Sequence, residues 1–143
     1  MEKPLKNAVA LVIYASDGSR ILIVKRPVDD DILPGVYGLP AGSLREGESW
    51  GEAARRAARE KLGVEISIKK EIGQDEADRG NFISRMREYE VEIVGGEPRV
   101  PQPVAGITQY SEWRWGEAKA LEDAARKGSL CSKIYLQHGD KTS

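Results

Sequence analysis

The chain has 143 residues, 40% hydrophobic and 31% charged, with a formal net charge of −1, which fits a single ordinary globular domain over residues 1–143. The balanced charge gives no basic field to attract nucleic acid, and the longest apolar run, residues 8–15, is far too short to span a bilayer. Cys131 is the one cysteine and His138 the one histidine. That excludes an internal disulfide and a thiolate or imidazole zinc cage, so any metal would be a hard cation on carboxylates. No secretory pattern opens the chain, so a cytoplasmic location is expected; a homodimer stays open.

In chain order, residues 7–14 are rich in β-branched and apolar side chains and read as a strand. Ser16-Asp17-Gly18-Ser19 supplies turn chemistry, and residues 20–25 read as the returning strand of a hairpin. Residues 26–35, with two prolines and three consecutive aspartates, read as a loop, and 36–39 as a short strand. A helix follows. Ser49 and Glu52 have capping-box spacing, Trp50, Ala53, Ala54, Ala57, Ala58 and Leu62 repeat along one face, and Gly63 stands at the left-handed cap position. Residues 64–72 and 82–94 read as strands separated by an acidic turn region, 74–81. Residues 95–106 carry three prolines and read as a loop. A short strand over 109–114 and helices over 116–127 and 130–137 complete the chain, the last begun by Ser129. Helices on both faces of a mixed sheet predict an α/β or α+β sandwich. Trp50, Trp113 and Trp115 are read as core and rim packing.

The most informative feature is a spaced set: Gly42, then Glu48, then Arg56-Ala57-Ala58-Arg59-Glu60-Lys61-Leu62-Gly63-Val64. It resembles the signature of the Nudix hydrolases, in which a glycine, a glutamate and an Arg-Glu-apolar-any-Glu-Glu-any-Gly-apolar run stand at this spacing. Tyr37 to Gly42 before the set and Glu112 to Trp115 after it also look like family landmarks. The resemblance implies an α/β/α sandwich with the signature as loop-helix-loop, and a pyrophosphohydrolase acting on a nucleoside diphosphate linked to another moiety. In such enzymes Mg²⁺ neutralises charge on the phosphates and orients the attacking water.

The chain departs from that pattern at Ala57 and Lys61, both glutamates in the family. Residues 57, 60 and 61 share one helical face, so the metal platform is reduced to Glu60 beside an ammonium. Mg²⁺ is expected to bind weakly or not at all. A distant-loop glutamate that many relatives supply reads here as Gln109. The acidic run Asp75, Glu76 and Asp78 is a solvated loop that could lend a replacement ligand only by folding over the helix. Plain structural reasons also exist for the departures: Ala57 extends an apolar stripe, and Lys61 complements the helix dipole. Arg56 is spaced to pair with Glu52 and Glu60.

Two readings stay open. In the first, the chain is a weakened Mg²⁺-dependent hydrolase with Glu60 as metal ligand, Glu48 and Arg56 as orienting groups, and Gly42 as the loop residue that lets phosphate approach. In the second, it is a catalytically silent domain that binds a nucleotide or phosphorylated ligand, with Lys61 and Arg59 or Arg56 taking the phosphate charge. Nudix members acting on ADP-ribose commonly show a proline soon after the signature, and none occurs here between Gly63 and Glu97.

Overall fold

The computed structural model describes residues 3–26, 35–100 and 110–139. Its strands form two sheets. The larger has the order β4-β1-β6-β5, built from β1 (Leu5–Ile13), β4 (Ala41–Ser43), β5 (Glu65–Asp78) and β6 (Ile83–Gly95). The smaller, β3-β2-β7, joins β2 (Ile21–Lys25), β3 (Tyr37–Gly38) and β7 (Glu112–Gly116). β1 runs parallel to β6 from Leu5↔Ile83 to Ile13↔Val91, and every other pairing is antiparallel.

From Ala8 onward β1 reads as an unbroken apolar run, because both faces of its second half are covered. Val9, Leu11 and Ile13 pack into one core cluster with Ala53, Ala54, Ala58 and Leu62 of α1 (Trp50–Leu62). Ala10 and Val12 pack into another with Leu121 and with Cys131 of α3 (Leu130–Ile134). A mixed sheet between helices is what the sequence predicts.

The expected hairpin between the first two strands is not a ladder. Among the described residues, the bridge Tyr14↔Ile21 and the bond from the Ala15 amide to the Arg20 carbonyl (2.8 Å) join them before β2 enters the other sheet. With Ile21 to Val24 all buried, β2 takes its partners from β3 and β7. The acidic segment expected as a turn is also different: β5 continues through Gln74 to Asp78, and the reversal is confined to the stretch around Gly80. Glu76 pairs with Arg85 across the β5–β6 ladder at 2.7 Å and Asp78 with Lys3, ahead of β1, at 2.8 Å, so ion pairs offset the poor strand propensity. The helix expected over 116–127 is a 3₁₀ turn (Ala118–Leu121) leading into α2 (Glu122–Arg126). α3 continues as a π turn, Tyr135–Gly139. Among the described residues no helix is long and apolar enough to cross a membrane.

Candidate functional site

α1 forms as its sequence dictates. The Ser49 side chain accepts from the Glu52 amide (3.1 Å), Glu52 accepts from the Ser49 amide (2.9 Å), and Gly63 closes the helix at φ 68. The helix lies against β4 at Gly42. A Cβ built on that glycine would stand 3.1 Å from the Ala57 Cβ, and Ala57 is fully buried. Gly42 therefore sits on a strand, opposite Val9, and its bare Cα makes room for the helix. Ala57 is a packing residue here, beyond the reach of a ligand in solution.

Arg56 is the hub of the site. Its Nε donates to Glu48 Oε2 (2.7 Å), its Nη2 to Glu48 Oε1 (2.8 Å) and to the Ser43 carbonyl (2.6 Å), and its Nη1 to Glu60 Oε1 (2.9 Å). The fork on Glu48 is the bidentate geometry that makes guanidinium–carboxylate pairs strong. Glu48 also accepts from the Arg45 amide at 2.9 Å. The Arg56 fork first, helped by that amide and by nearby positive charge, holds its carboxyl down at about 2. In turn the Arg56 guanidinium is pushed above its ordinary value, chiefly by Glu48 and then by Glu60. The pairing expected between Arg56 and Glu52 does not form, because Glu52 is committed to the helix cap.

Sequence reasoning missed two members of the site. Arg45, from the loop between β4 and α1, donates through Nη2 to both oxygens of Glu60, at 3.0 and 3.3 Å. No periodicity links residues 45 and 60; only the folded loop brings them together. Tyr110 is the other. Its hydroxyl accepts from the Ala41 amide (3.0 Å) and donates to the Ala41 carbonyl (3.3 Å), and its ring lies 5.2 Å from the Lys61 ammonium. Lys61 is only 9% exposed and faces this ring, within the range of a cation–π contact. Gln109, beside Tyr110, lies outside the described residues. Arg59 is not brought to the hub: it pairs with Glu65 at 3.1 Å, both about half exposed. Asp75, Glu76 and Asp78 lie on β5, at the opposite edge of the sheet from β4, so they do not fold over α1.

The divalent cation that the resemblance implies does not fit these residues. Glu60 is engaged by two guanidinium groups, Glu48 by a third contact set from Arg56, and positions 57 and 61 offer a buried methyl group and an ammonium. Among the described residues no group of three or more His, Cys, Asp or Glu side chains could hold a metal ion.

Comparison with known proteins agrees with this architecture. The family model described as "NUDIX domain" matches residues 4–131. A Mycobacterium tuberculosis protein named "Putative 8-oxo-dGTP diphosphatase 2" is 34% identical over 85 residues, 57% of this chain and 58% of the relative. The chain thus spans less than two-thirds of the curated relatives it matches. The solution structure of the Escherichia coli ORF135 protein superposes with a TM-score of 0.73 at 19% identity, covering 99% of this chain and 96% of that one. A MutT Nudix hydrolase from Burkholderia pseudomallei gives 0.69 at 24% identity over 95% and 98%. At such identities the two structures establish the fold alone. With the family model matching most of its length, the chain belongs to the Nudix family.

Proposed function

We propose that this Nudix domain binds a nucleoside diphosphate or a related phosphate-bearing small molecule at the signature, and hydrolyses it weakly or not at all. The observation that carries this reading is the engagement of Glu60, the last carboxylate at a family metal position, by Arg56 and Arg45. Family chemistry needs divalent cations to neutralise the phosphates and orient water. Here Arg45 and Arg56 engage Glu60, Arg56 also forks onto Glu48, and the Lys61 ammonium lies over Tyr110. The Arg45 side chain is 57% exposed, so its guanidinium, while paired with Glu60, is presented to solvent, where a phosphate would meet it. The weakened-hydrolase reading draws its support from the intact Glu48–Arg56–Glu60 arrangement.

A thermal-shift panel in EDTA tests the proposal, using nucleoside diphosphates, ADP-ribose and 8-oxo-dGTP, paired with phosphate-release assays in Mg²⁺. A ligand of the native state raises the melting temperature by mass action. The expected result is a shift with at least one nucleotide in EDTA and phosphate release at background. Absence of any shift, or brisk Mg²⁺-dependent release, would overturn it.

A further inference from the structure

We infer that Arg45 and Lys61 are resident cations that take the place of the divalent metal, so that the signature of this chain is a metal-refusing, internally neutralised site. The loop between β4 and α1 carries Arg45 back over α1, where its Nη2 spans both Glu60 oxygens at 3.0 and 3.3 Å. A cation bound by Glu60 would have to displace that contact and then sit beside a guanidinium. On the far side of Glu60 in sequence, Lys61 places an ammonium over Tyr110, held in an all but buried pocket. Tyr110 is itself fixed to Ala41 through its hydroxyl, so the ammonium is seated between α1 and the strand that bears Gly42.

Each cation therefore has its own support in the fold. Arg45 is anchored through its backbone as well, its amide donating to Glu48 and its carbonyl accepting from the Glu48 amide at 3.0 Å. Loss of metal affinity is thus built in twice, once by replacing a ligand with Lys61 and once by closing a positive arm over the ligand that remains. A carboxylate attracts a divalent cation by charge and open oxygen donors, and both are reduced here.

The inference concerns the same signature as the ligand-binding proposal, yet titration with metal alone tests it separately. Metal bound by the wild type would leave a nucleotide shift in EDTA standing, and failure of every nucleotide would leave the metal result standing. The experiment is titration of Mn²⁺ into the full chain, read by electron paramagnetic resonance of the free ion, with folding checked by circular dichroism. Wild type and Glu60→Gln should bind indistinguishably and weakly. Lys61→Glu should gain affinity, and Lys61→Glu combined with Arg45→Ala should bind at least ~10-fold tighter than Lys61→Glu alone, as expected when a competing positive arm is removed. Wild-type affinity that is lost in Glu60→Gln overturns the inference, as does a double variant no tighter than the single. Should variants at 61 fail to fold, the pair of wild type and Arg45→Ala decides the point. Arg45→Ala must then bind Mn²⁺ more tightly than wild type, and equal binding overturns the role of Arg45.

Discussion

Arg56 and Glu48 are each about 14% exposed and bonded through a fork, so removing one leaves the other nearly buried and unpaired. Arg56→Ala should cost about 2–4 kcal/mol in urea unfolding, below the full penalty for a buried pair because water still reaches it. The pH dependence follows. The Glu48 carboxyl is held at about 2, against an ordinary value of 4.5, so its stabilisation is complete above pH 4.5 and is lost as pH falls toward 2. Glu88 behaves oppositely. It lies on β6, fully buried, with no hydrogen-bond partner for either oxygen, and burial pushes its carboxyl up to about 9. The unfolded chain releases this proton near 4.5 while the fold retains it, so stability should fall as pH rises between those values. Glu88→Gln should flatten that slope in melting curves taken from pH 5 to 9. Glu88→Leu should raise stability by about 1–3 kcal/mol by removing unsatisfied polar atoms. A slope unchanged in Glu88→Gln would show that other groups set it. Nothing in the sequence pattern singles out Glu88: it sits on β6 among the charged residues Arg85, Arg87, Glu90 and Glu92, all less buried than it is.

At the scale of elements, what depended on local chemistry was legible and what depended on partners was not. α1 was readable to its ends because its caps, its apolar stripe and its closing glycine all lie within the segment. Ser49→Ala should therefore cost about 1 kcal/mol, the usual worth of an N-cap, in thermal or urea unfolding. The apolar stripe places Ala57 on the right face without saying whether the position serves packing or a ligand, and the contact with Gly42 decides for packing. Restoring the family glutamate there should bury a charge, so Ala57→Glu is expected to lower the melting temperature. A variant as stable as wild type would mean the helix can tilt to free position 57. By contrast, the extension of β5 rests on distant partners, Arg85 across the ladder and Lys3 ahead of β1, which β-propensity of the segment alone does not register. The turn joining the first two strands predicts a hairpin, whereas the pairing is decided by β7, about ninety residues later in the chain.

Across the whole molecule, the site depends on a tie between the two sheets. Tyr110 precedes β7 of the smaller sheet, yet its hydroxyl closes on both backbone groups of Ala41, the first residue of β4 in the larger one. The same ring backs the Lys61 ammonium, so sheet docking and the seating of Lys61 are coupled through one side chain. Tyr110→Phe removes the hydroxyl while keeping the ring. It should cost about 0.5–1.5 kcal/mol, the net worth of a hydrogen bond, and should speed hydrogen exchange at the Ala41 amide. Tyr110→Ala removes a largely buried ring as well, and about 3–5 kcal/mol is expected for that truncation. The comparison separates the tie from the packing. Faster exchange at Ala41 in Tyr110→Phe, with the Ala53 amide inside α1 as protected as in wild type, locates the effect at the junction of the sheets. Equal exchange at Ala41 in wild type and Tyr110→Phe would show that the ring alone seats β4, with the hydroxyl contributing nothing to the tie.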